Sequence, residues 1–129
     1  MFKKVHHIAF AVYDLEKSIH LLKTMYGLTV DREIVITDRK MKAVLFKIGE
    51  IWLECLAPIS DDSPLNVFLK NKGEGFHHIA YQVASIKEAS TQLPEGALFP
   101  ARKSSVGDWM IADIDPKHGL GMNAQLIEE

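Results

Sequence analysis

The stretch His6-His7-Ile8-Ala9-Phe10-Ala11-Val12 decides the fold, because the chain repeats it 71 residues further on as His77-His78-Ile79-Ala80-Tyr81-Gln82-Val83. Glu54 and Gln125 keep the same separation, and each interrupts an otherwise apolar run. Each copy therefore offers a histidine followed by a carboxylate or an amide. Two copies of one small unit predict a pseudo-twofold arrangement with one metal ion at its centre.

Length and composition indicate one ordinary domain. The 129 residues are 47% apolar and 25% charged, which suffices for a buried core and excludes disorder as the default. The net charge is only −2 and the basic residues are scattered, so no surface for a phosphate backbone is visible. We therefore expect no nucleic-acid partner.

The compartment is indicated by the single cysteine and by the lack of long apolar runs. Cys55 has no second cysteine to pair with, which favours a reducing environment. No apolar run approaches the roughly 20 residues of a membrane span, and the first residues lack the apolar segment of a secretory signal. We expect a cytoplasmic protein that does not bind membranes.

Hydrophobic periodicity predicts the order strand, helix, strand, strand, strand in the first half. A strand over 4–12 precedes a helix that Asp14 caps and Gly27 ends. Three further strands are predicted over 28–36, 41–48 and 51–57.

The second half repeats this order, with a helix opened by the capping box Ser85-Ile86-Lys87-Glu88. Its strands are predicted over 76–83, 97–103, 108–114 and 122–127. We predict a single α+β domain made of two βαβββ modules, 1–58 and 76–129, joined by a linker over 59–75 that contains a short helix. Two such sheets, placed side by side, form a curved eight-stranded mixed sheet around a central cavity.

The candidate metal ligands are the four repeated polar residues, His7, Glu54, His78 and Gln125. Two imidazoles, a carboxylate and an amide oxygen suit one divalent ion of zinc, cobalt, nickel, manganese or iron. A lone strand histidine is more often a hydrogen-bonded core residue, but the common spacing of four polar residues argues against that alternative. A cation also removes the cost of burying the Glu54 charge. Coordination positions left open would take a small-molecule substrate.

The other polar residues of these strands have simpler interpretations. His6 and His77 point to the opposite side of their strands from His7 and His78. They therefore either support these candidate ligands or lie on the sheet surface. Cys55 points opposite to Glu54 and is expected to be a small core residue.

At these residues the chain resembles the vicinal-oxygen-chelate superfamily of glyoxalases, bleomycin-resistance proteins and dioxygenases, and within it methylmalonyl-CoA epimerase and glyoxalase I. The most specific match is the run Gly73-Glu74-Gly75-Phe76-His77-His78, which follows a Ser-Pro helix start. The matching stretches cover nearly the whole chain: 5–16, 53–58, 62–65, 68–69 and 73–80.

The resemblance implies a metal held by His7, Glu54, His78 and Gln125. In that superfamily the metal holds two neighbouring substrate oxygens and stabilises an enolate, while a glutamate moves the proton. The resemblance also implies a homodimer, because relatives of this kind usually pair.

The chain departs from the epimerase pattern at two positions. Gln125 stands where the epimerases carry a glutamate, and Ala43 falls at or near their second catalytic glutamate. Neither residue accepts a proton at neutral pH. Glu54 and Asp113 remain as candidate bases. Asp113 either points into the cavity by strand alternation or is a strand-end residue beside the turn at 115–116.

These observations predict a metal-dependent lyase or isomerase of the glyoxalase or epimerase kind. Its substrate would be a 2-oxo compound or an acyl thioester that reacts through an enolate. Two alternatives remain open. An Fe(II) oxygenase is compatible with two histidines and one carboxylate. A non-catalytic drug-binding or metabolite-binding resistance protein is favoured by the missing glutamates.

Overall fold

The computed structural model describes all 129 residues and contains eight strands and three α-helices. The first half consists of β1 (Phe2–Ala11), α1 (Leu15–Tyr26), β2 (Val30–Ile36), β3 (Met41–Ile48) and β4 (Ile51–Pro58). The second half consists of α2 (Leu65–Lys72), β5 (Gly75–Val83), α3 (Ile86–Gln92), β6 (Arg102–Lys103), β7 (Met110–Ile114) and β8 (Asn123–Glu128).

All eight strands belong to one sheet, in the order β2-β3-β4-β1-β5-β8-β7-β6. Strands β5 and β8 are parallel, whereas β2 with β3, β3 with β4, β6 with β7 and β7 with β8 are antiparallel. The order β1, β4, β3, β2 on one side recurs as β5, β8, β7, β6 on the other. The predicted α+β class and eight-stranded mixed sheet are therefore confirmed.

Contacts within the chain define two compact units. The central unit is Ile8–Phe76, and the terminal unit joins Met1–His7 to His77–Glu129. The boundary near the start of the chain falls within β1, directly after His7.

The central unit packs α1 on one face of its strands. Asp14 accepts a hydrogen bond from the Lys17 amide at the start of the helix, and Gly27 ends it in the left-handed conformation. The buried residues of this layer are Leu15, Val44, Phe46, Cys55 and Ala57. Alternation therefore sends Glu54 to the opposite face of β4, where Leu45 is its partner on β3.

The terminal unit repeats this arrangement with α3, whose first turn is capped by Ser85. The helix-side layer contains Val83, Ile86, Ala89, Ala112 and Leu126. The opposite face carries Ala80, Ile111 and Ile127 together with Trp109. By alternation, His78, Asp113 and Gln125 lie on that second face.

The strand predicted over 97–103 is much shorter in the structure. Only Arg102 and Lys103 pair with β7, and Leu98 forms an isolated bridge with Ile114. Pro100, which lacks a backbone N–H, stands between these two pairings and explains the interruption. None of the helices combines the length and apolar character needed to cross a membrane.

Candidate metal centre

Three of the four repeated polar residues offer ligand atoms to one small region. His7, Glu54 and His78 are all buried, and one ligand atom from each lies within 4.8 Å of the others. Strand alternation accounts for the buried positions, because each residue lies on the face of its strand away from the packed helix. Two imidazoles and one carboxylate at this separation form a donor set suited to a divalent metal ion.

The two histidines approach each other through the nitrogens that ligate metals. The distance from His7 Nε2 to His78 Nε2 is 3.0 Å. Two nitrogens bound to one ion at about 2.1 Å and at a right angle would also lie about 3.0 Å apart. The observed separation therefore matches two adjacent positions of one coordination sphere.

A chain of side-chain contacts links His7 to His6 and, through His6, to Glu129. His6 is buried, with its Nε2 atom 3.0 Å from Glu129 Oε2 and its Nδ1 atom 2.8 Å from His7 Nδ1. Because an ionised carboxylate only accepts, the Nε2 atom of His6 donates to Glu129, and in the neutral form of His6 the Nδ1 atom is then an acceptor. With that form of His6, His7 donates from Nδ1, and the lone pair of its Nε2 atom is left for a metal.

The second copy of the motif repeats this contact. His77 Nδ1 lies 2.8 Å from His78 Nδ1. When His77 accepts from His78, as His6 does from His7, two lone pairs face each other across the 3.0 Å gap. Such lone pairs repel, and a cation between them removes the repulsion. His6 and His77 thus contact the two candidate ligands, and the supporting role, one of the two expected for them, stays a prediction.

Burial controls the protonation of the candidate ligands. Burial, followed by the nearby His6, lowers the pKa of His7 to about 3, so its imidazole is neutral and able to ligate at neutral pH. Burial raises the pKa of Glu54 to about 7. A bound cation would offset the cost of ionising this carboxyl group.

Cys55 is not part of the site. It lies in the α1-side core, as expected, and burial followed by the charge of Glu54 raises its pKa to about 11. Its sulfur is therefore a neutral thiol and not a metal ligand at physiological pH.

Gln125 fits the role of a fourth ligand. Its Nε2 atom donates to Asp113 Oδ1 at 3.1 Å, whereas its buried Oε1 atom has no hydrogen-bond partner. In the parallel register Gln125 pairs with Ala80, two residues beyond His78, so it lies on the same face of the sheet as that histidine. An orphaned amide oxygen on this face is what a hard or borderline cation would bind.

The structure places Asp113 in an ion pair. Arg102 Nη2 lies 3.1 Å from Asp113 Oδ2, and Arg102 Nε lies 3.3 Å from the same oxygen. Asp113 therefore accepts from both Arg102 and Gln125. Strand alternation predicts that Asp113 faces the cavity, where it could act as a base. It does not predict the contact with Arg102, which no sequence signal marks.

Sequence reasoning also missed Glu129, the partner of His6. No local motif marks it, because the contact joins residues at opposite ends of the chain. Ala43 is fully buried on the same strand face as Leu45, the partner of Glu54. This position therefore supplies no second carboxylate.

Comparisons with known proteins agree with the geometry. The sequence model of the glyoxalase/bleomycin resistance protein/dioxygenase superfamily matches residues 6–107. An uncharacterised protein of Bacillus subtilis, YqjC, is 29% identical over 97% of this chain and 91% of its own length. The mitochondrial methylmalonyl-CoA epimerase of Dictyostelium discoideum is 30% identical over 97% of this chain and 76% of its own length. The human mitochondrial epimerase is 35% identical over 70% of this chain, and the match spans only 52% of the human protein.

Solved structures show the same architecture. The hypothetical protein BH1468 of Bacillus halodurans superposes with a TM-score of 0.88 at 26% identity, over 98% of this chain and 94% of its own. A variant of Streptomyces coelicolor methylmalonyl-CoA epimerase in complex with 2-nitronate-propionyl-CoA superposes with a TM-score of 0.87 at 24% identity, over 100% and 99% of the two chains. The second likeness establishes the fold.

Proposed function

Because the chain belongs to the glyoxalase/bleomycin resistance protein/dioxygenase superfamily, we propose that it is a metal-dependent, epimerase-like isomerase that acts on an acyl-CoA thioester. The observation that carries the proposal is the buried group of His7, Glu54 and His78. Similarity to methylmalonyl-CoA epimerases over as much as 97% of the chain supports the substrate class.

The metal would be held by His7, Glu54, His78 and the amide oxygen of Gln125. When bound, a divalent ion supplies a Lewis acid that polarises a carbonyl oxygen and stabilises an enolate. In the chain itself, burial keeps the His7 imidazole neutral, His6 and His77 contact the two proposed imidazole ligands, and the buried site excludes water from the charged groups.

We assign the proton transfer to Glu54. It is the one carboxylate among the four proposed ligands, since Gln125 cannot accept a proton and Ala43 has no polar group. Glu54 would take the proton from the carbon beside the thioester carbonyl, and the epimer would form when the planar enolate turns in the site and receives the proton back on its opposite face. Asp113, the other candidate base, is less suited because Arg102 and Gln125 already engage its oxygens.

The test is hydrogen exchange at the carbon beside the carbonyl. The metal-loaded protein is incubated with methylmalonyl-CoA in D₂O, and deuterium incorporation is followed by mass spectrometry. We expect Glu54→Gln to lower the exchange rate ~10²–10⁴-fold, the usual range for loss of a general base. The exposed Glu95→Gln is the matched control and should be unchanged. Exchange that survives Glu54→Gln but not Asp113→Asn would transfer the role to Asp113.

One alternative draws on the same ligands. Two histidines and one carboxylate also form the triad of non-haem iron oxygenases. Iron in the purified protein together with substrate-dependent oxygen uptake would favour this reaction. A metal-free protein that binds a small molecule without turnover would instead favour a resistance or storage role, as the missing glutamates suggest.

We further propose a cytoplasmic homodimer. The reduced, buried Cys55 suits a reducing compartment. Light scattering on the purified protein measures the molar mass directly, and the 14.5 kDa of a single chain would exclude the dimer.

A further inference from the structure

We propose that Asp113, held by Arg102, is a positioning residue that turns the amide oxygen of Gln125 away from itself and toward the face that carries His78. The same contact makes an amide, and not a carboxylate, the residue that position 125 requires. The inference rests on the metal site of the proposed function. It concerns the orientation of the Gln125 amide and the choice of Glu54 as the acidic ligand.

The first step is the pairing of the two residues. Asp113 on β7 and Gln125 on β8 are direct partners in the antiparallel register, so their side chains share a face. Gln125 Nε2 lies 3.1 Å from Asp113 Oδ1. An ionised carboxylate can only accept hydrogen bonds, so the nitrogen end of the amide must be the end that faces it. The oxygen end is thereby fixed on the other side.

The second step is the state of that oxygen. Gln125 Oε1 is buried and has no hydrogen-bond partner. Leaving a buried acceptor unsatisfied costs about 1–3 kcal/mol, so a native site that retains one has a reason for it. The strand register places Gln125 beside Ala80, which shares its face with His78. A cation bound by His78 would supply the missing partner.

The third step is the role of Arg102. Its guanidinium contacts both oxygens of Asp113, through Nε and Nη2. A paired arginine holds the carboxylate in one orientation. Arg102 thus acts on Gln125 through Asp113.

The fourth step concerns charge. A glutamate at position 125 would set two carboxylates side by side at the distance now spanned by a hydrogen bond. Neither carboxylate could donate a hydrogen bond to the other, and their like charges would repel. The Arg102–Asp113 pair therefore excludes the carboxylate that the epimerase pattern carries here. The acidic ligand is instead Glu54, the residue that is equivalent to Gln125 in the first copy of the repeat.

Metal affinity, measured by titration calorimetry with Mn²⁺ and with Co²⁺, tests the positioning role without reference to turnover. We expect Asp113→Ala to weaken binding 10–100-fold, as removal of a partner that orients a ligand usually does. In a Gln125→Ala background the same substitution should cost less than threefold, because no amide remains to orient. The exposed Asp108→Ala is the matched control. Equal losses in both backgrounds, or an unchanged affinity in Asp113→Ala alone, would overturn the proposal.

A second set of variants tests the charge argument and covers the case in which Asp113→Ala folds poorly. The single variant Gln125→Glu should bind Co²⁺ more weakly than the double variant Gln125→Glu/Asp113→Asn. The second substitution removes the carboxylate that would repel the glutamate. The visible absorption of bound Co²⁺, which reports its coordination, should change in Arg102→Met. Gln125→Glu binding as tightly as the double variant would contradict the charge argument.

The two proposals fail in different ways. A wild-type protein that binds no divalent ion would remove the proposed function and this inference together. A protein that loses its metal on His78→Ala but keeps full affinity in both Gln125→Ala and Asp113→Ala would retain the proposed metal site and overturn the inference alone.

Discussion

Replacement of Glu54 by glutamine should stabilise the metal-free protein, and should do so increasingly as the pH rises. Burial raises the pKa of Glu54 from its ordinary 4.5 to about 7, so the folded state holds this proton more tightly than the unfolded state. The stabilisation from the protonated form is complete below pH 4.5 and is lost as the pH rises to about 7. Glutamine keeps the shape but does not ionise.

The magnitude follows from that difference in pKa. Each pKa unit corresponds to about 1.4 kcal/mol, so the change from 4.5 to about 7 gives roughly 3 kcal/mol. We expect the variant and the wild type to differ little at pH 4.5. At pH 8 the variant should be more stable by about that amount, or by roughly 10 °C in Tm. The lowered pKa of His7 makes stability depend on pH in the opposite direction. This contribution is the same in both proteins and cancels in the difference between them.

Urea unfolding of both proteins in excess chelator, at several pH values from 4.5 to 8, measures the difference. Adding a divalent ion at pH 8 should reverse the order, because the wild type regains a ligand charge that the variant lacks. A gap between the two proteins that stays constant from pH 4.5 to 8 would refute the assignment of Glu54 as a carboxyl group whose pKa is raised by burial.

Three further predictions concern the ligands and the core. His78→Ala should lower the metal content of natively purified protein below half an ion per chain, measured by elemental analysis; full occupancy would exclude His78 as a ligand. His6→Phe keeps a ring but removes the contact to His7, so metal affinity should fall 10–100-fold by calorimetry. An unchanged affinity would show that His6 does not orient its neighbour. Leu126→Ala empties part of the α3-side core and should cost about 2–5 kcal/mol in urea unfolding, with a smaller loss indicating local collapse.

The repeat made much of the fold predictable from the sequence. His7 and His78 stand at equivalent points of β1 and β5, so the common offset predicted both the repeated order of elements and the shared orientation of the two side chains. The helix from Leu15 to Tyr26 was predictable because its cap at Asp14 and its stop at Gly27 are local signals.

Contacts between distant residues were not predictable in this way. The pairing of Arg102 with Asp113 depends on the register of β6 and β7, and Pro100 obscured the extent of β6. The contact of His6 with Glu129 joins positions that no periodicity relates. The partners that orient the proposed ligands were therefore visible only once the strands were placed.

The terminal unit joins two segments that are far apart in the chain, which has a consequence for synthesis on the ribosome. Met1–His7 packs with His77–Glu129, and Phe2 stacks on Tyr81 with ring centroids 4.7 Å apart. Met1–His7 can therefore complete these contacts only after the residues from His77 onward have been translated. Closing a loop this long carries an entropic penalty that local helices do not face. A nascent chain released before residue 78 is made would lack one of the two proposed imidazole ligands.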